Sequence, residues 1–372
     1  MMDGHDTEVT RMREALALAE RGWGHVAPNP MVGALVLAGD EVVGRGWYGG
    51  PRGEPHAEVR ALREAGARSR GATVVCTLEP CNHQGATPPC TDALLDAGVA
   101  RVVIGATDPN PVVDGSGIAR LRDAGVDVRV GVLADEAHRL NAAFERHVTT
   151  GSPFVIWKVA TSLDGKTAAR DGSSRWITSE HARVDAHRLR AWADAIVVGA
   201  GTVVADDPSL TARHPDLGSA WPPLRVVVDV AGRLPADAAI FDDRAPTLVV
   251  TTAAGERSVS RSLPPGVEVA ICAADATGGV APGALLEALG KRDVQGVLLE
   301  GGATLAWSFL RDGAVDRIVQ YIAPRIVGGA GAPGAVMGEG FAPIDAAMDV
   351  SFVRADPVGP DIRVEADVHR DR

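Results

Sequence analysis

His56-Ala57-Glu58, Pro80-Cys81 and Cys90 together constrain most tightly what this chain can fold into. One imidazole and two thiols form the donor set of a zinc ion, and they serve it only if well-separated stretches of chain converge on one point. Three protein ligands leave the fourth tetrahedral position open to water, which the metal acidifies toward neutral pH. Glu58 stands two positions beyond the imidazole, where a carboxylate can pass protons without binding metal.

The flanks give this pattern a structural frame. Val74-Val75-Cys76-Thr77-Leu78 reads as a buried strand, and Glu79-Pro80-Cys81 falls where a loop or helix begins. From His56 to Ala65, Val59, Leu62 and Ala65 share one face, so His56 and Glu58 occupy a first helical turn. The free N–H groups and positive dipole end of such a turn favour a hydroxide and an ionised Glu. Pro88-Pro89-Cys90 opens another helix and brings Cys90 to a similar position. This is the arrangement of the zinc nucleobase deaminases, in which activated water attacks an amidine-like ring carbon and ammonia leaves. The usual Pro-Cys-x-x-Cys is absent: eight residues separate the two cysteines, with His83 between them. A closed structural site of His56, Cys81, His83 and Cys90 is therefore the rival reading, and it leaves Glu58 without a purpose.

At 372 residues, with 46% hydrophobic and 23% charged residues, the chain is long enough for two domains with separate cores. It divides near Gly151-Ser152-Pro153, giving expected domains of 1–150 and 151–372. The four cysteines in so long a chain make no disulfide framework and fit reduced thiols. The amphipathic start, Val9, Met12, Leu16 and Ala19, is neither a signal peptide nor a membrane span, so a soluble cytoplasmic protein is expected. A net charge of −11 argues against a general nucleic-acid binder; an anionic small substrate needs a local Arg or Lys cluster instead.

The first part reads as a layered α/β domain: that helix, a hairpin of 31–37 and 41–47 around Gly39-Asp40, then alternating helices and strands. Strands are expected at 101–106 and 126–130, with a closing helix over 135–150. The second part alternates again, with strands at 154–160, 195–199, 225–230, 247–252, 267–272, 296–300 and 317–323. Its helices are expected at 179–193, 283–290 and 304–312. Glu300-Gly301-Gly302-Ala303-Thr304 follows a strand and opens a helix, so it is either a phosphate cradle or a plain tight turn. The run Gly329 to Gly334 matches G-x-G-x-x-G formally, but proline interrupts it and no apolar helix follows; we read a flexible loop.

Pro28-Asn29-Pro30-Met31-Val32-Gly33, Gly53-Glu54-Pro55-His56-Ala57-Glu58, Leu78-Glu79-Pro80-Cys81, Thr87-Pro88-Pro89-Cys90 and Asp108-Pro109-Asn110-Pro111 resemble the deaminase half of the bifunctional riboflavin-biosynthesis family, RibD. Ser162-Leu163-Asp164-Gly165, Trp176-Ile177-Thr178 and Ala205-Asp206-Asp207-Pro208 resemble its reductase half. The resemblance spans essentially the whole chain, and the eight-residue cysteine gap is a feature of that family. It implies a cytidine-deaminase-like α/β/α domain followed by a dihydrofolate-reductase-like α/β domain, which accounts for a nicotinamide enzyme without a Rossmann fingerprint.

The resemblance also implies two consecutive reactions. Zinc-dependent hydrolysis removes the 2-amino group of 2,5-diamino-6-(5-phosphoribosylamino)pyrimidin-4-one; NADPH then reduces the ribose of 5-amino-6-(5-phosphoribosylamino)uracil to ribityl. It assigns His56, Cys81 and Cys90 to Zn²⁺, Glu58 to proton transfer, and Asn29, Asn82 and His83 to the first substrate. The bland alternative for Asn29 and for the segment Asn82-His83 is a loop residue satisfied by its own backbone. Ala160, Trp176, Thr202, Asp206 and Gly301-Gly302 match positions for NADPH, and Ser174, Arg190, Leu210, Arg213 and Glu300 match positions for the second substrate. Arg190 and Arg213 would grip the ribose phosphate; read without the family, each is a solvated surface charge. Lys158 is a further candidate for this site, and the family's members form dimers or tetramers.

One position departs from the pattern. The family often carries Arg or Lys just before Thr-Pro-Pro, whereas this chain has Ala86, and Arg52 is the candidate to compensate. Two other classes share parts of the pattern. A nucleic-acid deaminase would keep the zinc set but need a basic groove, and a zinc-stabilised scaffold would use the closed site with no role for Glu58.

Overall fold

The computed structural model describes residues 4–50, 53–213 and 221–369. Its contacts divide the chain into two units, Met1–Gly151 and Ser152–Arg372. Among the described residues, no helix is long and apolar enough to cross a membrane.

The first unit runs α1 (Gly4–Ala19), β1 (Gly33–Ala38), β2 (Glu41–Trp47), α2 (Ala57–Ala65), β3 (Thr73–Leu78), α3 (Cys90–Ala97), β4 (Arg101–Ala106), α4 (Ser116–Asp123), β5 (Asp127–Val130), α5 (Ala134–Leu140) and α6 (Ala142–Thr150). The sheet order is β2-β1-β3-β4-β5; the hairpin and the β1–β3 pair are antiparallel and the rest parallel. Alternation along the strands builds two cores. Ala34, Val36, Val74, Cys76, Val102 and Ile104 face α2, α3 and α4. Leu35, Leu37, Val75 and Val103 face Met12 and Ala15 of α1. The result is an α/β/α layering.

Glycine lets the helices lie directly on the hairpin. A Cβ at Gly33 would stand 2.0 Å from the Ala15 carbonyl oxygen. At Gly44 and Gly46 it would stand 2.1 and 2.0 Å from those of Ala61 and Ala57. The bare backbone of β2 therefore fixes the height of α2, and with it the helical turn that carries Glu58.

The expected closing helix is broken in two at Asn141, which is 2% exposed. Its side-chain oxygen accepts from the Met31 N–H at 2.8 Å, and its amide donates to the Met31 carbonyl at 3.0 Å. Asn141 thus satisfies Met31 in place of a ladder partner, which is why β1 starts at Gly33 and not at Met31.

The second unit runs β6 (Phe154–Ser162), α7 (Glu180–Trp192), β7 (Ala195–Gly199), α8 (Ala200–Asp206), β8 (Leu224–Val228), β9 (Thr247–Thr251), α9 (Glu256–Ser262), β10 (Glu268–Ile271), α10 (Pro282–Gly290), β11 (Gly296–Leu299), α11 (Ala303–Arg311), β12 (Arg317–Ala323), β13 (Val350–Val358) and β14 (Asp361–Val368). They form a nine-stranded sheet, β10-β9-β8-β7-β11-β6-β12-β14-β13. It is parallel except where β14 pairs with β12 and β13. Helices α10 and α11 cover one face through Leu285, Leu289 and Phe309. On the other, Ala186 and Leu189 of α7, Val203 of α8 and Val259 of α9 pack on Ile196, Val198 and Val227.

Two short helices, α8 and α9, and the β13–β14 hairpin extend beyond the sequence reading. The run Gly329 to Gly334 is a loop with no helix after it, but it is anchored: Thr167 N–H donates to the Pro333 carbonyl at 3.0 Å and Lys166 Nζ to that of Ala332 at 2.9 Å.

Candidate active sites of the two units

In the first unit, β3 and β4 run parallel, so their C-terminal ends release the chain on the same side. Glu79, just past β3, is 3% exposed. Its carboxylate accepts from the N–H groups of Asp108, Gly115, Gly117 and Ile118 at 3.0–3.2 Å. That tie fixes the loop carrying Cys81 against the loop after β4. A Cβ at Gly117 would meet the Pro80 carbonyl at 2.0 Å, so glycine is required for this approach.

His56 is the N-cap residue of α2, and Cys90 is the first residue of α3 with Pro89 before it. Nδ1 of His56 stands 3.6 Å from Sγ of Cys81 and 3.2 Å from Sγ of Cys90. The three ligand atoms lie within 4.8 Å of one another, the spacing of a shared metal ion. Nε2 faces Oγ1 of Thr87 at 3.4 Å, so Nδ1 is left for the metal and Thr87 orients the ring. The edge of the buried Tyr48 ring packs against the imidazole, with centroids 5.7 Å apart.

The electrostatics suit the donor set. The Cys90 thiol and N–H both point at Cys81 Sγ, the latter at 3.4 Å, and hold the Cys81 thiol well below its ordinary range. Burial pushes the Glu58 carboxyl up, opposed by the nearby imidazole. Glu58 is 3% exposed and lines the same cleft as His56 and Cys81, which puts a proton acceptor beside the ligand group.

His83 lines that cleft but stays outside the ligand group, and its Nδ1 is buried without a partner. Among the described residues, the four-ligand closed site is therefore not assembled. Asn29 and Ala86 also line the cleft, and Asn29 Nδ2 donates to the Tyr48 hydroxyl at 3.0 Å. Asn82 does not line it. Its oxygen accepts from Thr91 at 2.9 Å and Arg120 at 2.8 Å, and its amide reaches the Ser116 carbonyl at 3.4 Å, so its polar atoms join α3 to α4. Arg52 falls outside the described residues.

In the second unit, β7, β11 and β6 are adjacent and parallel, and most of the anticipated residues gather where these strands end. Ala160 lies near the end of β6, and Thr202 and Asp206 lie on α8 immediately after β7. Gly301-Gly302 joins β11 to α11, with Gly302 as N-cap. A Cβ at Gly302 would meet nothing nearer than Thr202 Oγ1 at 3.6 Å, so the two elements border an open space. The first N–H groups of α11 lack intrahelical partners and face it, as a phosphate-bearing cofactor needs. Ser174 Oγ donates to Asp206 at 3.4 Å. Trp176 is 59% exposed, with Arg183 over its ring at 4.4 Å and its carbonyl held by Arg325 at 2.9 Å.

Glu300 and Arg190 form a buried bidentate pair, Nε–Oε1 2.9 Å and Nη2–Oε2 2.6 Å. Burial alone would raise the Glu300 carboxyl; Arg190 and Lys158 outweigh it and hold it at about 2. Lys158 beside them is pushed below its ordinary value by burial. Arg190 is thus no solvated surface charge. Its remaining nitrogen reaches the Thr211 carbonyl at 3.4 Å, so the guanidinium is committed to protein groups. Arg213 is the exposed cation here, with Nη1 donating to Thr211 Oγ1. The Leu210 side chain is 1% exposed and belongs to the core, at a φ of 47°, so only its backbone can meet a ligand. Thr87, Tyr48 and Glu79 are additions from the structure. Thr87 and Glu79 fall inside the family-like motifs, but nothing in their local sequence points to these contacts.

Residues 6–106 match the cytidine and deoxycytidylate deaminase zinc-binding region, and residues 153–364 match the RibD C-terminal domain. Fold, ligand group and these two matches define a zinc-binding deaminase joined to a reductase. The riboflavin biosynthesis protein RibD of Bacillus amyloliquefaciens is 41% identical, over 97% of this chain and 99% of its own. The structure of Acinetobacter baumannii RibD aligns with a TM-score of 0.84 at 35% identity, covering 98% of this chain and all of that one, 100%. A deaminase/reductase structure from Thermotoga maritima gives 0.86 at 34%, covering 99% and 100%. The chain belongs to the RibD family, the bifunctional deaminase/reductases of riboflavin biosynthesis. It is a hydrolase and an oxidoreductase, and its second unit implies a pyridine nucleotide.

Proposed function

We propose that the first unit hydrolyses the 2-amino group of 2,5-diamino-6-(5-phosphoribosylamino)pyrimidin-4-one, and that the second reduces the ribose of the resulting 5-amino-6-(5-phosphoribosylamino)uracil with NADPH. The T. maritima relative is named for these two activities. The observation that carries the reading is the His56, Cys81 and Cys90 group within 4.8 Å, with buried Glu58 facing the same cleft.

His56 Nδ1, Cys81 Sγ and Cys90 Sγ would hold Zn²⁺. When bound, the metal supplies Lewis acidity toward water. Glu58, buried and lining the cleft, takes a proton from the attacking water, delivers it to the ring nitrogen, and later helps the amino group depart as ammonia. Asn29, fixed by Tyr48, and His83 offer hydrogen bonds along the cleft wall. Ala86 brings no charge to that wall, and Arg52 is our candidate for the missing cation.

For the second step, Gly301-Gly302 and the start of α11, with Ala160, Trp176, Thr202 and Asp206, would bind NADPH, which supplies the hydride. Ser174, the Leu210 backbone, Arg213 and Glu300 would position the ribosylaminouracil. Arg213 meets its phosphate, while Arg190 keeps Glu300 ionised and in place. Lys158, beside Glu300, completes the polar group at the strand ends.

Product mass spectrometry on purified protein given the diaminopyrimidine phosphoriboside tests the order. We expect the deaminated product without NADPH, and the same product carrying two more hydrogens with it. Reduction without deamination, or no turnover by zinc-loaded protein, would overturn this assignment.

A further inference from the structure

Helix α7 grips the segment 211–213 at two points one helical turn apart. Arg190 Nη1 reaches the Thr211 carbonyl at 3.4 Å, and Nδ1 of His187 receives the Arg213 backbone N–H at 3.2 Å. The Arg213 guanidinium folds back on Thr211 Oγ1, and the Leu210 side chain is buried in the core at the segment's start. Leu210, Thr211 and Arg213 are thus pinned so that the exposed cation of Arg213 leaves the surface at a set place. The His187 contact requires an acceptor with a free lone pair at the position of Nδ1.

We propose that His187 is a positioning residue of the reductase reaction: its unprotonated Nδ1 holds the Arg213 backbone so that the guanidinium meets the substrate phosphate. This rests on the reading that Arg213 binds that phosphate. The imidazole must be the tautomer with hydrogen on Nε2, because an imidazolium has no acceptor and would repel the adjacent arginines. Its surroundings enforce this. Burial, then Arg190 and Arg213, push the His187 imidazole down to about 4 against Glu300 and the Thr211 backbone, so the ring is neutral at physiological pH. Choosing histidine here combines a rigid acceptor with a side chain that stays uncharged beside two guanidinium groups.

The test uses the full chain with NADPH and compares the phosphorylated ribosylaminouracil with its dephosphorylated riboside, in wild type, H187L, H187N and R213A. H187L should raise KM for the phosphorylated substrate about tenfold with kcat changed less than about twofold. H187N should recover most of that loss, because its amide oxygen can take the place of Nδ1. With the riboside, the three variants and wild type should have the same KM. The deaminase rate of each preparation checks that the chain is intact. If R213A leaves KM for the phosphorylated substrate unchanged, the phosphate reading of Arg213 is lost, and this proposal goes with it. If R213A weakens binding but H187L does not, or if H187L weakens both substrates alike, or if H187N is as poor as H187L, the positioning role of His187 is wrong.

Discussion

Nδ1 of His56 and Sγ of Cys90 stand 3.2 Å apart across 34 residues of chain, each at the start of its own helix. Two helix N-termini aimed at one point, with a third ligand from the loop after β3, assemble the ion's protein ligands without His83. Zinc content should therefore separate the open from the closed arrangement. H83A should retain about one zinc per chain, and H56A or C81A should lose it. E58Q should keep zinc and lower the deamination kcat by about 10²- to 10⁴-fold. Elemental analysis of the purified variants with parallel assays decides; zinc loss in H83A would restore the closed site.

Thr87 Oγ1 faces Nε2 of His56, and with a metal on Nδ1 it would accept from that nitrogen. Removing that partner frees the ring to rotate and lowers its basicity, so T87V should bind zinc about 10- to 100-fold more weakly. Chelator competition at fixed pH measures this directly. Equal retention by wild type and T87V would show that Tyr48 packing alone orients His56.

At Gly46 the smallest side chain already collides, its Cβ lying 2.0 Å from the Ala57 carbonyl oxygen. G46A must lift the first turn of α2 off the hairpin, at a cost of about 1–3 kcal/mol from overpacking. The expected outcome is loss of both zinc affinity and deamination, with NADPH-dependent reduction unchanged. A variant that deaminates normally would mean that the hairpin yields rather than the helix.

Glu300 gives the second unit an acid-sensitive element. Its carboxyl sits at about 2 when folded, against an ordinary 4.5, so the folded state binds fewer protons over that interval. The associated stability is fully present above pH 4.5 and lost as pH falls toward 2. Its size is on the order of 3 kcal/mol. Urea unfolding followed by tryptophan fluorescence suits the test, since Trp157, Trp176, Trp192, Trp221 and Trp307 all lie in this unit. E300Q should be less stable at pH 7 and should lose less than wild type between pH 4.5 and 2.5. Parallel acid profiles would show that Arg190 does not stabilise the Glu300 charge.

Much of the zinc site was legible because its parts are local: each ligand opens or adjoins an element whose apolar spacing is plain in the sequence. The strands fared well for the same reason. Val74–Leu78 and Arg101–Ala106 are buried runs, and the expected strand reaches to Leu78 and Ala106 as observed. What escaped were features set by partners distant in the chain. Asn141 breaks a helix because Met31, 110 residues away, needs its amide. Arg190 reads as a surface charge until β11 delivers Glu300 to it, and nothing local to Asn82 signals that α3 and α4 donate to its oxygen. The β13–β14 hairpin was hidden because β13 is exposed along almost its whole length, with Arg354, Asp356 and Pro357 obscuring any alternation.

The strand orders carry a consequence for how the protein is made. In the first sheet every strand is in place once residue 130 has emerged, and all three zinc ligands precede residue 91. In the second, β11 at 296–299 inserts between β6 and β7, which end far earlier in the chain, at residues 162 and 199. A ribosome therefore delivers the whole His56, Cys81 and Cys90 group while β6 and β7 still lack the strand that joins them and carries the Gly301-Gly302 turn. The candidate metal ligands can meet on a nascent chain; the turn we propose for the nucleotide must wait for most of it.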